Sequence, residues 1–421
     1  MTGNINNNLI EKHNIGCNEK KTQLFRTLFL IFQIQFIHKT ISIENRWSKE
    51  IVFFVPLIVC LILFLYSVIV KKEKINRKSF VFTLFVIGAT FLTILINADY
   101  ATDNFIFIIV IVVAFFISNI FTRADYLKAY VDAMLFYSIF SLISTYLIHP
   151  IIMKTGVNIF PTYVNKYGVP FLDLGFAYVV KWNGLMRNQG YFNEPGVFQF
   201  YILVAIIIEF FYLKRKNRRI NIIVLFVTLL STFSTAGYIS LIPILIIVMW
   251  KEVDSVKVRN VITIIGLGVF FYLILSNNEN IVLILNRLLV TKFQSDNGSF
   301  IVRYESIPNL LKMSLHRPVF GNSFVKGFVY IQQNYNRNNT VDITGTLFSF
   351  IMALGYPVGL ILWRQFYKLC KVITGDNGLM MLGVLLALFL SVNTQNLIYD
   401  SLFITLLFLP FMKMKAGGAI N

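Results

Sequence analysis

The chain has 421 residues, 57% of them hydrophobic, and a mean hydropathy of +0.69. Only 14% of the residues are charged, too few to cover a soluble protein of this size, which excludes a soluble globular fold. The net charge of +18 does not mark a nucleic-acid binder, because the cations gather in short clusters between apolar runs: Lys71-Lys72-Glu73-Lys74 with Arg77-Lys78, and Lys214-Arg215-Lys216 with Arg218-Arg219. That is the pattern of cytoplasmic loops under the positive-inside rule, and such loops suit anionic lipid surfaces.

Apolar runs of 18 or more residues recur and read as transmembrane helices. Residues 1–23 are polar, rich in asparagine and without a signal-peptide pattern, and read as a cytoplasmic tail. Helices are predicted over 24–43, 51–70, 79–97, 104–121 and 126–149. The basic loop 71–78 is placed inside and the loop 98–103, which has no Lys or Arg, outside. Residues 150–194 then form an outside segment too long for a simple connector. Its aromatics, among them Phe160, Tyr163, Phe171, Phe176, Tyr178 and Trp182, suggest that parts of it lie at the membrane interface or re-enter the membrane. The sixth helix starts at Pro195, a residue suited to the first helical position, with Glu194 at the positive end of the helix dipole.

The loop 214–219 returns the chain inside. Helices over 220–235 and 238–250 form a pair whose joint, Ser231 to Tyr238, is dense in hydroxyls. A ninth helix is predicted over 260–276, followed by a second large outside segment, 277–344. Helices over 345–368, 379–395 and 398–412 complete the bundle, the first of them kinked at Gly355 and Pro357. Residues 414–421 form a second cytoplasmic tail. The expected fold class is thus an all-α polytopic membrane protein of about twelve transmembrane helices. It is one domain over 24–413, with both termini cytoplasmic and extracytoplasmic loops at 150–194 and 277–344. These loops do not fall at matched positions in two halves, unlike those of an inverted-repeat transporter. Cys17, Cys60 and Cys370 show neither metal spacing nor a disulfide framework.

The stretch Trp182 to Gly196 is polar between two apolar runs and reads as the lip of a site. Arg187, Arg303 and Arg317 all lie in the two outside segments. Guanidinium forks suit phosphate oxygens, so a lipid-linked diphosphate is a fitting ligand; the alternative is solvation or snorkelling in the headgroup region. Glu194 is either a helix cap or a carboxylate that orients Arg187 or an acceptor hydroxyl. His316, beside Arg317, is a candidate base because imidazole titrates near neutral pH, or an incidental loop histidine. Asp342, just before the helix at 345, is a site residue or a neighbour of the N-cap. The hydroxyls of Ser231, Thr232, Ser234 and Thr235 suit sugars, or satisfy backbone. The sequence has no HExxH, Walker loop or paired nuclease carboxylates, and no metal or other cofactor is expected. Charged or amide residues inside predicted helices are few, chiefly Asp132, Glu209, Arg364, Asn393, Gln395 and Asn396, which disfavours a polar transport pathway.

The run Arg187-Asn188-Gln189-Gly190-Tyr191-Phe192-Asn193-Glu194-Pro195 looks like the Arg-x-x-Gly-x-Phe-x-Glu-Pro pattern of the O-antigen polymerase and O-antigen ligase superfamily of bacterial envelope polysaccharide synthesis. Ser231 to Tyr238 is similar to that family's Ser-rich, Gly-ending segment, without the arginine often found inside it. His316 to Asn322 resembles its Pro-x-x-Gly segment, Arg303 lies where the family places an arginine, and Thr344 to Gly359 looks like the helix that closes the large loop. The resemblance covers roughly residues 180–365 and implies a metal-independent glycosyltransferase of GT-C-like architecture. Such an enzyme takes a glycan from undecaprenyl diphosphate and joins it to a sugar hydroxyl at the outer face of the membrane. By position, Arg187, Arg303 and Arg317 would bind the diphosphate, with Glu194, Asp342 or His316 as base. Ligases of this family carry a histidine near the end of the large loop, where this chain has Asn338-Asn339-Thr340-Val341-Asp342, a departure that favours polymerase over ligase. The implied partners are the undecaprenyl-diphosphate-linked oligosaccharide, membrane lipid, a chain-length regulator and a flippase. A transporter or flippase of the same lipid-linked oligosaccharide is the competing class.

Overall fold

The structure, a computed structural model, describes residues 21–37, 49–156, 159–164, 168–181, 187–213, 215–252, 298–334 and 343–414. In chain order it has α1 (residues 21–35), α2 (Lys49–Leu65, prolonged by a π-helical turn Tyr66–Val70), α3 (Arg77–Asn97), α4 (Thr102–Ile120) and α5 (Arg123–Ile143). A second π-helical turn leads α5 into α6 (His149–Thr155). Three strands follow, then α7 (Pro195–Ile207, continued by a π-helical turn Ile208–Leu213), α8 (Arg218–Ser231) and α9 (Thr235–Glu252). The rest comprises α10 (Gly298–Ser314), α11 (Phe324–Asn334), α12 (Thr346–Thr374), α13 (Gly378–Val392) and α14 (Ser401–Phe408). Six described stretches are long and apolar enough to cross a membrane, so the chain is a helical membrane protein. The predicted helix over 260–276 lies outside the described residues.

The helices sort by composition. The span Pro195–Leu213 is apolar on every side, and 89% of its most hydrophobic window is buried; Ile51–Val70 and Arg77–Asn97 are 33% and 39% buried and turn aliphatic and phenylalanine side chains outward. A helix apolar all round belongs at the centre of a bundle, which is where α7 stands. Phe192, Phe198 and Tyr201 stack at its start, and the Tyr130 hydroxyl of α5 donates to the Tyr201 carbonyl at 3.0 Å.

Several helices are short. α8 has 14 residues, α13 has 15 and α14 has 8. At about 1.5 Å per residue they span roughly 21, 22 and 12 Å, less than the ~30 Å of a hydrocarbon core. One end of each lies among the basic loops. α8 starts at Arg218, α13 follows the Lys371–Asp376 ion pair, and α14 runs into a turn where the Asn76 amide donates to the Phe411 carbonyl and Lys413 pairs with Glu73 at 2.7 Å. Their other ends, at Ser231, Val392 and Ser401, therefore stop within the apolar layer.

α12 departs from the predicted simple kink. Gly355 has φ +82° and ψ +167°, and the chain reverses there. The Trp363 indole donates to the Leu347 carbonyl at 2.8 Å, although a straight helix would set residues 16 apart about 24 Å from each other. A Cβ added at Gly359 would lie 2.7 Å from the Ile351 Cα. Thr346–Leu354 is thus a buried leg folded back along a longer leg that starts at Tyr356. The tip is closed by the 318–323 segment: Asn322 and Ser323 N–H groups donate to the Met352 and Ala353 carbonyls at 2.9 and 3.0 Å, and the Tyr356 N–H donates to the Pro318 carbonyl at 2.7 Å. These bonds satisfy carbonyls that a helix end leaves open.

The all-α expectation is corrected in one place. Within 150–194, β1 (Thr162–Val164), β2 (Pro170–Asp173) and β3 (Tyr178–Val180) form an antiparallel meander, with Leu172 paired to Thr162 and to Val179. Gly175, at φ +88°, makes the turn between β2 and β3. Leu172 and Val179 pack on Leu174 and Ile152. Strands of three or four residues are too short for alternation to register in a sequence otherwise read for helices. The sheet is tied to the polar stretch: the Tyr178 N–H donates to the Gly190 carbonyl at 2.8 Å, and the Tyr178 and Tyr191 rings stack 4.8 Å apart.

The reversal at Gly355 demands a backbone conformation open only to glycine, and a Cβ there would collide with the Val319 carbonyl. Gly355→Ala is expected to lower stability by about 1–3 kcal/mol or more, read as a lower Tm of the detergent-purified protein. Gly88→Ala in α3, where an added Cβ meets nothing within 4 Å, is expected to leave Tm unchanged or raise it. Equal Tm values for the two variants would remove the hairpin from α12.

Candidate functional site: a polar junction at the ends of the short helices

Four stretches meet where the short helices stop. The first is 187–196. Asn188 is 1% exposed and donates through its amide to the Ser141 and Ser231 hydroxyls, both at 3.0 Å; its N–H donates to the Ser231 carbonyl at 2.9 Å, and its Oδ1 accepts from the Gly190 N–H at 3.0 Å. Gly190 has φ +56°, and a Cβ there would lie 2.8 Å from the Phe198 ring. The chain is thereby locked onto the α8–α9 turn, which bends tightly at Phe233 (φ +47°). Next to this anchor, the exposed Arg187 donates from Nε to the Thr232 carbonyl at 3.3 Å, and its charge lies within electrostatic reach of the Tyr238 phenol.

Glu194 is the N-cap of α7, with extended backbone (φ −139°, ψ +138°) and Pro195 following. Its side chain makes no capping hydrogen bond. The cap reading of Glu194 therefore holds for its backbone, while the carboxylate stands half-buried at the positive end of the central helix. One residue on, Gly196 sits against the Gln395 amide, whose Cδ would be 3.2 Å from an added Cβ.

Gln395 opens the second and third stretches. Its carbonyl accepts from the Gly345 and Thr346 N–H groups at 3.1 and 3.2 Å and from the Thr346 hydroxyl at 2.8 Å. The Thr346 hydroxyl in turn accepts from the Leu397 N–H at 3.0 Å, and Asn393 Oδ1 accepts from the Leu347 N–H at 3.1 Å. The loop 393–400 and the start of α12 are thus one hydrogen-bonded unit. The fourth stretch is α10: Ser306 Oγ accepts from the Thr344 N–H at 3.1 Å, and Leu310 and Ile307 pack on Gly345. Arg303 occupies the position one turn before Ser306 on the same stripe of α10.

Five buried polar atoms in these stretches have no hydrogen-bond partner among the described residues: Gln189 Nε2, Asn193 Oδ1, Glu305 Oε2, Thr344 Oγ1 and Asn396 Oδ1. A buried unsatisfied polar group costs about 1–3 kcal/mol, and these five are groups that a ligand rich in hydroxyls could satisfy. The amides Asn393, Gln395 and Asn396, read from sequence as lying inside helices, stand in the loop between α13 and α14. The density of amides and hydroxyls in Ser391-Val392-Asn393-Thr394-Gln395-Asn396 was the available signal.

Arg317 and His316 belong to a different network. Arg317 Nη1 donates to the Ile96 carbonyl at 3.2 Å and to Asn97 Oδ1 at 2.7 Å, which caps the C-terminus of α3. Thr93 donates to the Phe320 carbonyl, and Lys326 Nζ to the Asn97 carbonyl, both at 2.7 Å. His316 is exposed, its ring edge-on to Tyr330 at 5.9 Å. Asp99, buried beneath them, accepts from the Ser323 hydroxyl and from the Lys326 N–H. Burial pushes its carboxyl up, but hydrogen bonds from Ser323, Asn104 and the N–H groups of Lys326 and Ala101 outweigh it and hold the group below the usual carboxylate range. The structure therefore brings Glu194 and the position of Arg303 to one junction, with Arg187 beside it on the α8–α9 turn. It engages Arg317 and His316 at the end of α3. Asp342 and Trp182 to Met186 lie outside the described residues. No family model, curated protein or solved structure matches the chain.

Asn188→Ala removes an amide that holds two buried hydroxyls, and is expected to cost about 1–3 kcal/mol, measured as a drop in Tm. The Asp99 carboxyl, lower in the fold than unfolded, contributes stability that is fully present above the unfolded value of about 3.9 and is lost as pH falls through the lower folded value. Asp99→Asn is expected to melt below wild type at pH 7, with the gap closing in the acid range. A gap independent of pH would show that Asp99 acts without its charge.

Proposed function

We propose that this chain is a glycosyltransferase that polymerises lipid-linked oligosaccharide repeat units, taking them from undecaprenyl diphosphate at the outer face of a bacterial cytoplasmic membrane. The observation that supports this reading is the polar junction of 187–196, 393–400, the start of α12 and α10, whose buried Gln189, Asn193, Glu305, Thr344 and Asn396 each have a polar atom without a partner among the described residues, at the end of an apolar bundle remote from the basic loops. A substrate that is part prenyl chain and part sugar needs both surfaces at once. In this reading Arg187 and Arg303 take the diphosphate, and Gln189, Asn193, Thr344 and Asn396 meet sugar hydroxyls. Glu194 takes the proton from the acceptor hydroxyl as its oxygen attacks the anomeric carbon; the bond from that carbon to the diphosphate breaks, and undecaprenyl diphosphate leaves with the electron pair. The surrounding apolar helices limit attack by water. Arg317 supports the site by capping α3, and His316 and Asp342 are the alternatives to Glu194 as base. This reading has both termini in the cytoplasm, with a flippase that delivers the repeat unit and a chain-length regulator as partners.

A second reading has one observation in its favour. Helices broken inside the membrane, as α12 is, recur in transporters, where they line the substrate site. A flippase for the same lipid-linked oligosaccharide would use the same polar junction for passage in place of chemistry.

The test is complementation of a polymerase-null strain that retains the matching repeat-unit pathway, with the polysaccharide ladder read on a gel at equal membrane expression. Wild type is expected to restore multi-repeat bands. Arg187→Ala and Glu194→Gln are expected to leave a single repeat unit, with loss of a general base lowering the rate about 10²–10⁴-fold. Arg317→Ala is expected to keep the ladder and lower Tm. Failure of wild type, with lipid-linked single units trapped on the cytoplasmic side in a flippase-null strain and released by the chain, would replace polymerisation with transport.

A further inference from the structure

The basic end of the bundle holds a separate feature. A cavity of about 730 Å3 lies where the π-helical turn Ile208–Leu213 passes into α8. Among the described residues, its lining has four cations, Arg215, Lys216, Arg218 and Arg219, three apolar side chains, Phe210, Ile222 and Ile223, and no acid. The composition is that of an amphiphile's headgroup site: charge at the mouth, hydrocarbon on one wall.

The cations are positioned. Arg215 is fixed by two carboxylates: its Nε lies 3.2 Å from Glu209 Oε2, and its Nη1 meets Asp132. Glu209, one of the few charged residues that the sequence sets inside a predicted helix, is fully buried, and it also accepts from the Asn221 amide at 2.9 Å. Both carboxylates are thereby turned toward Arg215. The Arg218 guanidinium lies 4.1 Å over the Phe210 ring, an arrangement that holds it flat. Lys216 and Arg219 are exposed.

The neighbouring surface decides the ligand class. Ile220 and Ile223 of α8 are 65% and 61% exposed, directly beside these cations. A free anion has no use for such a wall, and nucleic acid requires an extended basic surface, whereas this one is confined between the end of α7 and the start of α8. We propose that the cavity binds the phosphate headgroup of one anionic phospholipid from the leaflet at this end, with its acyl chains along Ile220 and Ile223. Basic pockets between transmembrane helices favour such headgroups, each Lys or Arg near the surface contributing on the order of 1 kcal/mol. The site is discrete, unlike the diffuse attraction that every basic loop exerts on a charged leaflet. It rests on the cavity and its lining alone and stands whether or not the chain is a polymerase.

The experiment uses the full chain in mixed micelles, titrated with phosphatidylglycerol, phosphatidylcholine or inorganic phosphate, with Tm and the number of retained lipids (by native mass spectrometry) as readouts. Phosphatidylglycerol is expected to raise Tm and to be retained at one molecule per chain, while the other two have no effect. Lys216→Glu with Arg219→Glu, both exposed and outside the Glu209–Arg215–Asp132 ion pairs, is expected to weaken retention at least about tenfold. Lys72→Glu with Lys74→Glu in the α2–α3 loop, an equal change of net charge, is expected to retain it. Equal losses in the two double variants, equal retention of phosphatidylcholine, or an equal response to inorganic phosphate would each overturn the proposal. Folding of each variant is checked by its Tm without added lipid.

Discussion

A backbone that stops inside an apolar layer has no water to complete its hydrogen bonds, so the protein must supply them. This constraint governs the half of the molecule remote from the basic loops. α8, α13 and α14 end short of a full crossing, and the first leg of α12 begins at the same level. The ends are satisfied reciprocally. The Gln395 carbonyl takes the first N–H groups of α12, Thr346 takes the Leu397 N–H, Asp400 Oδ1 takes the first N–H groups of α14, and Asn188 clamps the end of α8. Amide and hydroxyl side chains such as those of Asn188, Thr346 and Asn393 do this without adding net charge.

The same constraint separates two kinds of polar atom at the junction. Those of Asn188, Asn393, Gln395 and Thr346 are engaged with backbone and hold the geometry. Those of Gln189, Asn193, Glu305, Thr344 and Asn396 point into protein without a partner among the described residues. The two arginines brace different elements. Arg317 completes the end of α3, a task that leaves its guanidinium tied to Ile96 and Asn97. Arg187 is exposed and bonds through Nε to the Thr232 carbonyl of the α8–α9 turn.

Much of the bundle was legible because a transmembrane helix announces itself by length. The predicted starts at 51, 79, 104 and 195 fall within a few residues of the helices found, and Pro195 begins α7 as its fixed φ suggests. Three features were not legible, each for a physical reason. The α12 reversal has the same Gly-Tyr-Pro signature as a kink; what distinguishes it is Gly359, whose lack of a side chain lets Ile351 fold against it. The meander at 162–180 is made of strands too short for periodicity and is held by Ile152 from outside its own sequence. The role of Arg317 depends on the end of α3, more than two hundred residues earlier. In the site, Arg187 and Glu194 were visible from their polar setting, while Asn396 and Glu305 became candidates only once their chain neighbours Gln395 and Ser306 were seen to meet Gly196 and Thr344.

α7 joins the two ends of the molecule, and its dipole accounts for what each end gathers. Its N-terminus, at Glu194 and Pro195, carries partial positive charge into a region of low dielectric, where it favours an anion: a carboxylate, a phosphate or both. Its C-terminal turn carries the opposite partial charge and lies against Arg215 and Arg218, cations at the end where the dipole rewards them. The π-helical turn at Ile208–Leu213 rotates the last residues so that Glu209 faces Arg215 and Phe210 lies under Arg218. A regular α-helix would advance each following side chain differently by about one residue's rotation and break that pairing. The insertion therefore serves the basic cavity, and the central helix links an anion-favouring junction within the membrane to a cationic anchor at its edge through one rigid, buried element.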